Sequence, residues 1–134
     1  MLKRAAAVQA CMDRFAGKPY AAGTRDCAKL AAHALHRMGR SCRLLTDARH
    51  TTETGALKYV RRKGFDDLVA LMDATGLPRI APAAALPGDV VGLESGDAFG
   101  CSLSVALGDG RVLGFRDGVC QPLEPHAFVA AWRV

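Results

Sequence analysis

Aromatic residues are scarce in this 134-residue chain. Phe, Trp and Tyr make up 6% of it, with a single Trp. A core must therefore be assembled mainly from Ala, Leu and Val. No stretch reaches the roughly 20 apolar residues that a membrane helix needs, so no membrane span is expected. Met1-Leu2-Lys3-Arg4 and the Ala-rich stretch after it resemble the start of a signal peptide. However, Gln9, Asp13 and Arg14 break the apolar run too early. The chain reads as made and kept in the cytoplasm unless something else carries it out. The five cysteines, Cys11, Cys27, Cys42, Cys101 and Cys120, are odd in number and form no C-x-x-C pair. That excludes a zinc knuckle and a dedicated disulfide framework. Most of the five read as small buried hydrophobes, although Cys101 and Cys120 could approach each other across strands. There is no Gly-rich phosphate loop and no aromatic-interleaved basic tract. Neither a cofactor, a metal nor a specific nucleic acid is expected.

What is present suits one compact domain. Half the residues are hydrophobic and 23% are charged, a balance that supports a core and argues against disorder. The net charge is +5 and the pI about 9.2. The positive charge reads as spread along the chain. Its densest run, Arg61-Arg62-Lys63, falls near a predicted helix end, where cations suit the dipole.

The pattern is helical in the first half. Met1, Ala5, Val8, Met12 and Phe15 recur at helical steps until Gly17, Pro19 and Gly23 break the run. Cys27, Leu30, Ala31, Ala34, Leu35 and Met38 then form the best-defined helical stripe, with Asp26 as N-cap and Gly39 as stop. A loop through 41–50 follows. Thr51 or Thr52 caps a short helix ending at Gly64, and Asp66 or Asp67 caps another ending at Gly76. Pro78, Pro82 and Pro87 mark an extended linker. From Gly88 the period becomes two. Strands are expected over 89–93, 101–107, 111–115, 119–123 and 128–134, with a hairpin turn at Gly108-Asp109-Gly110. Residues 1–134 are thus read as one α+β domain, helical over about 1–76 and antiparallel over about 88–134.

Cys27 is the candidate for chemistry. It falls in the first turn of its helix, where free N–H groups and the dipole stabilise a thiolate, so its pKa is expected below about 8.5. A thiol nucleophile also needs a base. His33 and His36 lie further along the same helix, the first pointing away and the second too distant. His50, in a loop, and His126, before the last strand, are the base candidates that folding could bring near.

A family resemblance bears on the same residue. The segments Arg14–Tyr20 and Thr24-Arg25-Asp26-Cys27, followed by an apolar helix, resemble the front of the NlpC/p60 cysteine peptidases. Pro87-Gly88-Asp89-Val90-Val91 is similar to that family's Pro-Gly-Asp strand start. Ser102–Gly110 is similar to its His-Val-Gly-Ile-x-Leu-Gly-x-Gly strand. The order matches over most of residues 14–115. A branch found in tailed phages and prophages is closer still. It shares a mid-chain Gly-Ala, here Gly55-Ala56, and a terminal Ala-Trp strand, here Ala131-Trp132. The resemblance implies a papain-like fold with Cys27 as nucleophile. It also implies a tail-tip setting, in which the partners are other tail-tip proteins and peptidoglycan. The family's catalytic His falls on Ser102, and its third polar residue falls near Gly114. Neither can do the family's work, since a hydroxyl does not titrate near neutral pH. The expected function is therefore a degenerate, non-catalytic papain-like module in a phage tail particle. The alternative is an active cysteine peptidase or amidase that cuts peptidoglycan stem peptides, with Cys27 as nucleophile and His126 or His50 as an off-pattern base.

Overall fold

The helices that begin at Cys27, Glu53 and Leu68 each start where an Asp or Thr side chain accepts from a free N–H group. The computed structural model describes residues 2–125 and 127–134. Helix α1 (Leu2–Phe15) buries Ala7, Cys11 and Phe15, one residue per turn. Helix α2 (Cys27–Arg37) starts at Asp26, whose Oδ1 accepts from Lys29 N at 2.9 Å. It buries Leu30, Ala31, Ala34 and Leu35. The chain leaves α2 through Gly39 at φ +77°, where Arg40 N donates to Leu35 O at 2.9 Å.

Three shorter helices follow. Helix α3 (Arg43–Thr46) lies inside the stretch expected to be a loop. Helix α4 (Glu53–Arg62) is capped by Thr52, and α5 (Leu68–Asp73) by Asp67. The Pro-rich linker contains a two-residue strand, β1 (Arg79–Ile80), and a single 3-10 turn over Pro82–Ala84.

The remaining strands are β2 (Val90–Leu93), β3 (Ser102–Ala106), β4 (Val112–Arg116), β5 (Val119–Leu123) and β6 (Phe128–Trp132). They form one six-stranded sheet in the order β1-β6-β2-β3-β4-β5, with every pairing antiparallel. The last strand thus lies inside the sheet. Alternation along the strands sorts side chains to two faces. Val90, Leu103 and Trp132 pack with Ala31, Leu35, Leu71 and Met72 under the helices. Val105, Leu113 and Cys120 meet Cys11, Phe15, Leu30 and Ala34. Val91, Ala106, Val112, Leu123 and Ala131 make a smaller cluster on the other face.

One buried carboxylate ties the chain's distant parts together. Asp89 is fully buried. Its oxygens lie 2.8 Å from Arg4 Nη1, 2.9 Å from Val134 N, 2.8 Å from Leu86 N and 3.0 Å from Arg133 Nε. A buried charge is tolerable only with such partners.

All five cysteines are free. Cys101 and Cys120 do not pair. Strand β4 separates the strands that carry them, and they pack into different parts of the core. Among the described residues no helix is long and apolar enough to cross a membrane.

Candidate functional site

Strands β3 and β4 pair only at Val105–Leu113 and Ala106–Val112. Beyond those pairs they part, while β3 stays zipped to β2 down to Ser102. A cavity of about 320 Å³ lies beside this split and is walled by both halves of the chain. The helical half contributes Cys27, Leu44, Leu45, Ala48, Tyr59 and Val60. The strand half contributes Cys101, Ser102, Phe115 and Arg116. Tyr20 lies edge-on to Phe115 with ring centroids 5.6 Å apart. A more open groove shares Ser95, Asp97, Ser102, Phe115 and Arg116 with the cavity and runs on to Leu93 and Pro125.

Cys27, Ser102 and His50 all line this one cavity. His33 and His36 are not part of it. His33 instead lies edge-on to Phe15, 5.8 Å between centroids, and His36 is exposed at the end of α2. His126 lies outside the described residues.

Gly114 does not face the cavity. A Cβ built there would meet Ser104 Cβ at 3.3 Å and Leu123 Cδ1 at 3.4 Å, which places it toward the smaller cluster on the far side. The β4 residues that line the cavity are Phe115 and Arg116. Ser104, two residues along from Ser102, is fully buried and donates from Oγ to Val91 O at 2.7 Å.

The surroundings of the half-buried Cys27 work against the low pKa expected of it. The thiol is pushed up to about 11, first by burial and then by the negative charges of Asp26 and Asp97. The Leu103 and Ala28 backbone N–H groups act in the opposite direction but do not prevail. Removal from water therefore outweighs the helix terminus. At pH 7 only about one such thiol in 10⁴ would be ionised. Burial likewise raises the hydroxyl of Tyr20, and Glu53 adds to the effect.

His50 provides a partner for Asp26, not for Cys27. Its Nε2 lies 2.6 Å from Asp26 Oδ2. The same carboxylate also accepts from Gly23 N at 2.8 Å and from Lys29 N at 2.9 Å. His50 Nδ1 is buried with no hydrogen-bond partner. Among the described residues, no side-chain base is hydrogen-bonded to the Cys27 sulfur. Asp26 was legible as a helix cap, but its second role was not, because it depends on a residue 24 positions away. Glu53 and Asp97, which also line the cavity, carry no sequence signal of their own.

Comparison with known families gives one result. A family model described as a domain of unknown function, DUF6950, matches residues 2–134. The chain belongs to this family. Comparison with curated proteins and with solved structures gives no match. In this DUF6950 chain, then, chemistry must be argued from the cavity itself. No group of three or more His, Cys, Asp or Glu among the described residues could hold a metal ion. The cavity offers a largely apolar wall, a thiol, a hydroxyl at Ser102 and an imidazole held to a carboxylate. Such a wall suits binding. Among the described residues no imidazole is hydrogen-bonded to the Cys27 thiol, the pairing that acyl transfer through cysteine uses.

Proposed function

We propose that the chain is a papain-like module of the NlpC/p60 type that keeps the cleft of those peptidases without their catalytic apparatus. In this reading it serves as a binding or assembly unit of a phage tail tip. The observation that carries the reading is the unassisted thiol. Cys27 stands at the start of α2 against the head of β3, the arrangement expected of a papain-like nucleophile. Yet the residue at the head of β3 is Ser102, and the one described histidine in the cavity is turned to Asp26. A thiol at about 11 with no base beside it is a poor nucleophile at neutral pH.

A second reading rests on His50 Nδ1. An unpartnered imidazole nitrogen on a residue that lines the same cavity as Cys27 is the feature that favours an active peptidase or amidase acting on peptidoglycan stem peptides. One assay separates the two. Purified protein is incubated with stem peptides beside Cys27→Ala, and products are followed by mass spectrometry. The non-catalytic reading expects no difference between the two proteins. Turnover that Cys27→Ala abolishes would establish the second.

A further inference from the structure

The cations of this chain are not spread, as a reading by runs suggests; they are segregated. Residues 1–63 carry 14 Lys and Arg against four Asp and Glu, whereas residues 64–134 carry four against nine. The helical half is therefore strongly positive and the strand half negative. The excess is sharpest over 37–63, where eight cations face only Asp47 and Glu53.

All eight are exposed. Arg37 ends α2, Arg40 follows its stop, and Arg43 opens α3. Helix α4 is joined to α3 by Tyr59, whose hydroxyl donates to Leu44 O at 2.8 Å. Above the Tyr59 ring sit Arg62 and Lys63, at 5.8 and 5.7 Å from its centroid. Arg49 acts electrostatically on the same hydroxyl. Helix α3 thus links the basic end of α2 to the basic end of α4, and Leu44, Tyr59 and Val60 behind these cations line the cavity.

Two observations separate this surface from an ordinary solvated face. Among the described residues none of the eight cations makes an ion pair, whereas three of the four in the strand half, Arg79, Arg111 and Arg133, do. Helix dipoles account for Arg37, Arg61 and Arg62, which sit in last turns. They do not account for Arg40 and Arg49, which lie outside the helices, or for Lys58, which precedes the last turn of α4.

We infer that this surface binds a linear phosphodiester polyanion by charge and by phosphate contact. Six of the eight cations are Arg, whose planar fork suits phosphate oxygens. Tyr59, the aromatic at its centre, is buried and unavailable to stack on bases, so recognition is of the backbone and is indifferent to sequence. A second copy presenting its negative half is the weaker partner. Of the nine strand-half carboxylates, Asp89, Asp73 and Asp109 are held in ion pairs, and Asp67 and Asp97 accept from their own loops or helix. The few that are left cannot match eight unpaired cations.

The test uses the whole chain and fluorescence anisotropy. A labelled 20-base-pair duplex of arbitrary sequence is titrated at 50 and 200 mM NaCl, with unlabelled polyol-phosphate polymer as competitor. The expected result is binding at 50 mM that weakens by about 10²–10³-fold at 200 mM, the loss for four or five phosphate contacts. Arg43→Glu with Arg62→Glu should weaken it at least tenfold, while Arg111→Glu should leave it unchanged. Circular dichroism checks that each variant is folded, and Arg43→Gln with Arg62→Gln replaces the first pair if it is not. Displacement by the polyol-phosphate assigns recognition to the shared phosphodiester chain, and failure to displace assigns it to nucleic acid. The inference is overturned by absence of binding at 50 mM, by binding that the paired substitutions leave intact, or by salt-sensitive self-association without polymer binding.

Discussion

His50 Nε2 and Asp26 Oδ2 lie 2.6 Å apart, with their side chains 4% and 6% exposed. Asp26 also holds the backbone of Gly23 and of Lys29, so one carboxylate organises the loop before α2, the start of α2 and the imidazole at the cavity. Asp26→Ala removes a helix cap worth about 0.5–2 kcal/mol. It also leaves a buried ring nitrogen and the Gly23 N–H unpaired, at about 1–3 kcal/mol. The expected loss is about 2–4 kcal/mol by urea denaturation. His50→Ala leaves Asp26 with two backbone partners and should cost less, about 1–2 kcal/mol. The reverse order would show that the histidine, not the carboxylate, organises the site.

The raised Cys27 thiol predicts slow alkylation. With iodoacetamide at pH 7.5, modification of Cys27 followed by peptide mass spectrometry should be at least about 100-fold slower than for a free cysteine. The rate should climb through pH 10. Ser102→His places an imidazole at the head of β3 and should raise the neutral-pH rate at least about tenfold by offering the thiol a base. An unchanged rate would mean that residue 102 does not address the sulfur.

Burial of thiols sets an alkaline limit to stability. Cys11 and Cys101 are pushed up to about 12, and Cys27 and Cys120 to about 11, from an ordinary value of 9.0, in each case first by burial. The unfolded chain releases these protons near pH 9 and the folded chain does not. The stability they contribute is therefore complete below pH 9 and is lost as pH rises toward 11–12. Tm should fall by at least about 5 °C between pH 8 and pH 10. Cys11→Ala, with one such group fewer, should show a shallower fall.

Two glycines with similar backbones should respond differently to alanine. Gly23 has φ +86°, and a Cβ there would lie 2.1 Å from His50 O. Gly64 has φ +96° with nothing within 4 Å. Gly64→Ala should cost about 1 kcal/mol for the left-handed backbone alone. Gly23→Ala must also displace the His50 segment and should cost at least about 3 kcal/mol. Equal losses in thermal melts would show that the 50-loop gives way freely.

Local signals in the sequence were reliable where the structure is local. The Asp26 cap, the Gly39 stop and the hairpin at Gly108-Asp109-Gly110 follow from residue chemistry within one turn, while the sequence left Thr51 or Thr52 and Asp66 or Asp67 open as caps and the structure uses Thr52 and Asp67. Helix α3 was hidden because its four residues are too few to show a period. Strand β1 was hidden because two residues among prolines carry no alternation. The candidate site was half legible. Cys27 and Ser102, which the family resemblance sets together, line one cavity. The pairing of His50 with Asp26, the burial that raises the thiol, and the outward turn of Gly114 all depend on contacts between remote parts of the chain.

The place of β6 between β1 and β2 governs when the molecule can form. During vectorial synthesis β2 emerges long before its neighbour, and its edge stays open until Phe128–Trp132 arrive. Trp132, fully buried in the finished core, is made well after β2. The helices therefore have only a partial sheet to close their core against before β6 pairs. Until then the open β2 edge is a target for wrong partners and for the chaperones that guard against them.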